Sequence, residues 1–338
     1  MTIPEIASRF ALPGQLVAHQ EIPTGLINTT HAITCGKPDA RQRFVIQALN
    51  PAVFAKPENV MENIQRISRH IGNKTPSSQQ LSLVPTTSGN DWLTLPDGTI
   101  WRCYPFLEDT EYFVKITSPD LAFRAAAAFG DFQAKLSDLD PGSLHETIPD
   151  FHHTPAYFAK LIAAGEKNPA SRLDSAQPEF DFIRSQKNLT ALLIEARLPI
   201  RITHNDTKIS NILFPLNPDL PPIVIDLDTV MPGLALFDFG DLVRSAAATA
   251  DENEPDPTKI RLDPALTTAL TDGYLSTASA FLTPAEIDLL PASVKVITLE
   301  LAIRFLTDYL LGDVYFKTQS PGHNLLRARN QIALLKSI

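Results

Sequence analysis

Over the first hundred residues the apolar positions recur mostly at period two, the spacing of a strand. "QLVAHQEI" (15–22) alternates loosely, and a Pro23-Thr24-Gly25 turn signal leads into "LINTTHAITC", which is rich in β-branched residues. "RFVIQAL" (43–49) is a short apolar run of the central-strand type, broken off by Pro51 and Pro57. The period then changes. In "PENVMENIQRISRHIG" (57–72), Val60, Ile64, Ile67 and Ile71 follow a helical period, with Pro57 in the first turn and Gly72 at the end. "DWLTLPDGTIWRCYPFL" (91–107) predicts a hairpin, because Asp97-Gly98 is a strong two-residue turn signal between two β runs.

After Leu107 the pattern becomes helical. "SPDLAFRAAAAFGDFQAKLSDL" (118–139) carries a Ser118 cap, Pro119 in the first turn and an alanine-rich middle. Further helices are predicted over 174–196, near 235–250, 263–281 and 290–312, and over 322–337. A β-rich island (200–230) interrupts them, and "DENEPDPTK" (251–259) reads as a solvated loop. The expected fold class is α+β: a small β-rich N-terminal lobe (1–107), a hinge near 104–110, and a larger, mainly helical C-terminal lobe (108–338).

Composition narrows the function classes. The chain has 338 residues, 44% hydrophobic and 20% charged, which suits a folded chain with a substantial core. The formal charge of −9 and the lack of a basic run make nucleic acid a poor partner. Cys35 and Cys103 lie far apart, with no His or Cys at metal-ligand spacing, and read as reduced thiols. No apolar run approaches the roughly 18–20 residues that span a bilayer, and "MTIPEIASRFALPG" lacks the features of a signal peptide. The expectation is a soluble cytoplasmic protein, monomeric because no apolar stripe is left over.

The chemistry concentrates in "ITHNDTKISNILF" (202–214), which reads His204-x-Asp206-x-Lys208-x-x-Asn211 between two β runs. A phosphoryl acceptor hydroxyl needs a carboxylate to orient it and take its proton. A nearby cation can neutralise the transferring oxygens, and a neutral amide oxygen can help hold magnesium. Asp206, Lys208 and Asn211 supply these three, while His204 would brace the loop from beneath. A polar loop whose Asp and Asn only satisfy turn backbone is the bland alternative. "PPIVIDLDT" (221–229) then delivers Asp226, which beside Asn211 would complete a magnesium site of oxygen ligands.

These motifs resemble the aminoglycoside phosphotransferase and choline kinase group, small-molecule kinases with a protein-kinase-like fold. "HNDTKISNILF", "VIDLDTVMPG", "DFGDLVRS", "RFLTDYLLGDVYFK", "GLINTTHAI" and "WRCYPFLEDT" look like its N-acetylhexosamine 1-kinase branch, over about residues 20 to 335. The resemblance implies ATP and magnesium as cofactors and a sugar or amino sugar as acceptor. Asp206 would be the general base, Lys208 would approach the transferred phosphoryl group, Asn211 and Asp226 would hold magnesium, and Asp228 would hold it through water or as part of a second site.

On the nucleotide side, the position of the protein-kinase strand lysine is Gln47, and the phosphate loop "PTGLINTTHAI" has the single glycine Gly25. Backbone N–H groups with Asn28, Thr29 or Thr30 would cradle phosphate, and Glu62 would orient Gln47 or Arg43. "YPFLED" (104–109) would be the hinge that reads adenine, with Tyr104 and Phe106 either lining it or merely core. On the acceptor side, the branch implies sugar contacts for Arg304 and Tyr315, with His31 a further candidate. Arg304 and Asp308, four apart, share a helix face and could equally form an intrahelical ion pair. Ser245-Ala246 stands where the branch tends to an aromatic residue and glycine, so the identity of the sugar stays open.

"DFG" at 238–240 matches the metal-binding tripeptide of protein kinases, but its spacing is wrong. That aspartate follows the catalytic-loop Asn by about a dozen residues. Asp226 is 15 residues beyond Asn211 and Asp238 is 27. Asp238 and Asp241 are therefore expected to accept hydrogen bonds from the catalytic-loop backbone. Beside the leading expectation of an anomeric sugar kinase stand two others: a kinase for another sugar, a choline-like amino alcohol or an aminoglycoside, and a nucleotide-binding pseudokinase.

Overall fold

The computed structural model describes residues 1–23, 28–75 and 81–338. The strands are β1 (Leu16–Glu21), β2 (Thr29–Lys37), β3 (Ala40–Ala48), β4 (Leu93–Thr94), β5 (Ile100–Pro105), β6 (Thr110–Glu111), β7 (Arg201–Thr203), β8 (Ile212–Pro215), β9 (Ile223–Val224) and β10 (Met231–Gly233). The helices are α1 (Ile3–Ala7), α2 (Pro57–Gly72), α3 (Pro119–Leu136), α4 (Thr154–Lys167), α5 (Gln177–Ser185), α6 (Lys187–Glu195), α7 (Ala235–Ala246), α8 (Pro264–Ala278), α9 (Pro284–Leu311) and α10 (His323–Ser337). They fall into two compact units. One holds residues 1–112, 135–149 and 213–232, and the other holds 113–134, 150–212 and 233–338. The single cut expected at residue 107 is thus an interleaved division.

In the first unit β1-β2-β3-β5-β4 form one antiparallel sheet in that order. The β2–β3 turn carries no strong two-residue signal and was not expected. It closes at Lys37–Ala40, and Gly36 (φ +115°) makes it possible, since a Cβ there would collide with the Ala40 carbonyl oxygen. Strand alternation splits the sheet chemically. Ile33, Cys35, Phe44, Ile46, Trp101 and Cys103 turn to one face and bury with Ile6, Ala7 and Phe10 of the N-terminal segment. Thr30, Gln47 and Arg102 fall on the other face, so a fully buried arginine sits in a run that is otherwise apolar.

Helix α2 buries Val60, Ile64 and Ile67 as its period predicts, with Met61 beside them, while Ile71 is half-buried. Asn63 on the same face is also buried. Its amide donates to the carbonyls of His145 and Val230 and accepts the His145 N–H, pinning α2 to two later segments of the unit. Strands β6, β8 and β9 add a small second sheet.

The second unit is built on α9, 28 residues and about 42 Å long. It starts at Pro284, before the expected 290, because Thr283 and Glu286 form a reciprocal capping box that starts the helix there; Pro291 lies within it. Gly312, in the left-handed region, ends it. Leu299, Ile303, Phe305, Leu306 and Leu310 pack with residues of α4, α5 and α10 into one core. Two expectations fail here. Helix α4 was not foreseen, because its start is capped by a histidine side chain: His153 Nδ1 accepts the Ala156 N–H. The helix expected over 174–196 breaks at Gln186 into α5 and α6. Among the described residues no helix is long and apolar enough to cross a membrane.

Candidate active site

In the second unit the segment after β7 forms a tight loop. Asn205 takes a left-handed backbone (φ +64°), which turns the chain and presents Asp206 next to it. Asp206 is part-exposed, and Lys208 Nζ lies 2.6 Å from its Oδ1. Burial works against the Lys208 charge, but the Asp206 carboxylate, with help from Asp241, holds the ammonium above its ordinary value. Asn211 Nδ2 donates to the carbonyl oxygen and to Oδ2 of Asp206 (2.9 and 3.1 Å), which leaves the oxygen end of its amide for another partner. The loop motif therefore gathers a carboxylate, an ammonium and an amide within a few ångströms.

The loop is held from behind. His204 is fully buried, its ring edge-on to Phe129 and Phe132, and its Nδ1 accepts the Asp206 N–H. Asp238, 1% exposed, accepts the N–H groups of His204 (2.8 Å) and Asn205 (2.7 Å) and the side-chain amide of Gln133 (2.6 Å). Burial pushes its carboxyl above the usual range, against those donors. Thr207 Oγ1 donates to the Asp238 carbonyl. The rest of the tripeptide is structural too. Phe239 is core, and Gly240 lets α7 lie against α9, since a Cβ there would come within 2.7 Å of the Ser293 carbonyl oxygen. Asp241 departs from the expected role: its Oδ1 takes the Nε and Nη2 of Arg244, one turn on, instead of the loop backbone. Burial opposes that charge, but Arg244 and Lys208 hold it below its ordinary value.

In the first unit the conspicuous feature is a buried polar cluster. Arg102 donates from Nε to Gln47 Oε1 (2.9 Å), and its Nη1 pairs with Asp228 Oδ1. Gln47 Nε2 donates to Thr30 Oγ1. Asn28 Nδ2 donates to Asp228 Oδ2 (2.6 Å), and Asn28 Oδ1 accepts the Asn50 N–H. Both oxygens of Asp228 are thereby engaged by protein donors, and it is 4% exposed. Asp228, expected to hold magnesium through water or at a second site, thus meets Asn28 and Arg102 in this structure. Asn28 and Gln47 are likewise committed to the cluster. Asp226 stands at φ +61° at the head of a short helical turn, a left-handed geometry that costs a non-glycine residue about 1 kcal/mol or more.

The remaining nucleotide-side expectations divide. Gly25 lies outside the described residues. Thr29 is exposed on β2. Tyr104 is core, 4% exposed, with burial pushing its phenol well up. Phe106 lies under the Arg43 guanidinium (3.9 Å), and Arg43 also pairs with Glu108. Glu62 does not reach Gln47 or Arg43. It pairs with His145 (2.7 Å) and Arg66 (3.1 Å). His31 packs edge-on against His19 on β1, and burial pulls its pKa down.

Around the end of α9, Arg304 is ringed by Tyr157, Phe151 and Phe316 at 5.2 to 5.6 Å. It makes no ion pair with Asp308. That carboxylate is 3% exposed and accepts four donors: the N–H groups of Val314, Tyr315 and Phe316 and the Asn324 amide. Asp308, expected at the substrate, here shapes the turn that presents Tyr315. Tyr315 is 67% exposed, its ring edge-on to Phe316. Ser245 is half-buried and donates to the Leu242 carbonyl, a local helix bond. Arg102, Arg244, Gln133 and His152 were all missed in the sequence. Only Arg102, a charge inside an apolar β run, left a signal there.

Among the described residues no group of three or more His, Cys, Asp or Glu side chains could hold a metal ion. Of the expected ligands, Asn211 keeps an amide oxygen that suits a hard cation, whereas Asp228 does not.

A family model described as "APH: Phosphotransferase enzyme family" matches residues 20–271. The structure is similar to that of a microcompartment-associated aminopropanol kinase, at 16% identity, with 98% of this chain and 95% of that chain covered and a TM-score of 0.64. It is also similar to an aminoglycoside phosphotransferase from Alicyclobacillus acidocaldarius (15% identity, 100% and 95% covered, TM-score 0.61). A spectinomycin phosphotransferase in complex with ADP and spectinomycin matches as well (13% identity, 95% and 92% covered, TM-score 0.57). At these identities the likeness is one of fold: an antiparallel sheet in the N-terminal part and a helical C-terminal part, the protein-kinase-like arrangement.

Proposed function

This chain belongs to the phosphotransferase enzyme family, and on that premise we propose that it is an ATP-dependent kinase of a neutral sugar, most closely an N-acetylhexosamine phosphorylated at its anomeric hydroxyl. The carrying observation is Asp206 on its braced loop, with Lys208 Nζ 2.6 Å from its carboxylate. Asp206 orients the acceptor hydroxyl and takes its proton, and Lys208 meets the charge that develops on the transferring phosphoryl group. The ADP complex of the spectinomycin enzyme supports ATP as the donor.

Magnesium, when bound, would neutralise phosphate oxygens. Asn211, through its amide oxygen, and Asp226, through its carboxylate, are the ligands that the sequence motif implies. Asp228 is instead part of the cluster that holds Asn28 and Gln47.

The acceptor class rests on charge. A cationic amino alcohol or aminoglycoside calls for carboxylates turned toward it. Here Asp308 is taken up by three backbone N–H groups and the Asn324 amide, and Arg304 lies among the rings of Tyr157 and Phe316, the latter edge-on to the exposed Tyr315. An arginine donates to ring hydroxyls or an acyl carbonyl, and a tyrosine can lie against a sugar face. The resemblance of "RFLTDYLLGDVYFK" to the hexosamine branch points the same way.

The test is an ATP-consumption screen with magnesium over free sugars, amino sugars, choline and aminoglycosides, followed by phosphorus NMR of the product. An anomeric phosphate is expected. A 6-phosphate or phosphocholine product overturns the acceptor, and no turnover with any acceptor overturns the kinase reading.

A further inference from the structure

Behind the catalytic loop lies a buried histidine with no part in the chemistry above. His152 is 5% exposed and lies on a left-handed backbone (φ +58°), as does Asp150. Its Nδ1 is 2.9 Å from Glu300 Oε1, and its Nε2 is 3.3 Å from the carbonyl oxygen of Asn205. A backbone carbonyl can only accept. Glu300 accepts a second bond from Thr154 Oγ1 at its other oxygen (2.7 Å), as an ionised carboxylate does. A neutral imidazole has one N–H, and these two bonds require two. With Glu300 ionised, as the bond from Thr154 and its lowered pKa favour, only an imidazolium supplies both N–H groups.

The surroundings agree. Glu300 and Arg304 face the ring from α9 and Asp241 from α7; from the loop comes the Asn205 carbonyl. The rings of Phe151 (4.4 Å) and Phe237 (5.1 Å) close it off from water. Burial and Arg304 oppose the charge. Glu300 and Asp241 outweigh them, so the pKa is held above the ordinary histidine value, and Glu300 in turn is held below its own.

We propose that His152 is a positioning residue: as an imidazolium it ties the carbonyl of Asn205, one residue before Asp206, to Glu300, one helical turn before Arg304. This rests on the reading of Asp206 as the base and Arg304 as an acceptor contact. The same segment touches α9 twice, since Phe151 lies against Arg304 (5.6 Å) while its neighbour His152 holds Glu300. The bridge registers the base against the acceptor-side helix within one unit. The sign of the pH effect follows from the raised pKa: the bridge is complete below it and loses one of its two bonds as pH rises through it, so the active range closes on the alkaline side.

Two measurements test this. Nitrogen-15 NMR of the imidazoles in the native enzyme, with His152 assigned by its absence in H152Q, should show both ring nitrogens protonated at pH 7, titrating above the ordinary histidine range of about 6.5. This arm needs no acceptor, so it stands apart from the acceptor assignment. With a turned-over acceptor, E300Q should move the alkaline limb of the kcat profile down by about one pH unit or more, with activity recovering as pH is lowered. One unprotonated nitrogen at pH 7, or an E300Q profile lowered uniformly with its limb unmoved, overturns the proposal.

Discussion

Gln47 accepts the Nε–H of Arg102 at 2.9 Å across the β3–β5 ladder, where the two are register partners. Strand β3 thus presents a neutral amide at this position, and the cation stands one strand over. That cation is already paired with Asp228. Arg102→Met should leave a buried carboxylate without its counter-charge and cost about 3–5 kcal/mol, read as a lower denaturant midpoint. Gln47→Lys should also lower the midpoint, because two cations would then compete for one carboxylate. A Gln47→Lys enzyme more stable than the native one would contradict this arrangement.

Asp206 is part-exposed and contributes little to the core. Asp206→Asn should reduce kcat by about 10²-fold or more with an unchanged melting temperature. Substantial residual turnover would remove Asp206 from its role.

Asp238 is the opposite case. Asp238→Ala leaves the His204 and Asn205 N–H groups and the Gln133 amide buried without an acceptor. Each such group costs about 1–3 kcal/mol, so thermal denaturation should show a large loss of stability. Gly240→Ala should also destabilise, by about 1–3 kcal/mol, because the added methyl group meets the Ser293 carbonyl.

Asp226 and Asp228 should separate cleanly. Asp226→Ala is expected to lose magnesium-dependent turnover. Asp228→Asn should lower the melting temperature while leaving the dependence of rate on magnesium concentration in place. A magnesium titration of both variants decides between them.

Glu286 is fully buried and pairs with Arg201 at 2.7 and 2.8 Å, besides closing the α9 capping box. Burial would raise its pKa, but Arg201 and the Thr283 donors bring it below the ordinary carboxylate value. A depressed acid stabilises the fold above its unfolded pKa of about 4.3 and loses that contribution as pH falls through the folded value. The destabilisation caused by Glu286→Gln should therefore be full at pH 7 and shrink below about pH 4, measured by denaturant titration across that window.

Much of the fold was legible because its signals are local. The Asp97-Gly98 turn, the period of α2 and the Pro119 start of α3 need no distant partner. Helix α4 was hidden because a histidine caps it, and α9 begins before 290 because the Thr283–Glu286 capping box starts it.

By itself the sequence determined which residues share the catalytic loop. Asp206, Lys208 and Asn211 lie within six residues, and chain connectivity alone keeps them together. The tertiary structure decided which carboxylates are free to act. Asp228 meets its arginine across 126 residues, and Glu300 its histidine across 148. Asp308 is taken up by a turn that forms only after α9 ends. A carboxylate's role depends on the donors that surround it in the fold, and those donors come from segments whose approach no local pattern encodes.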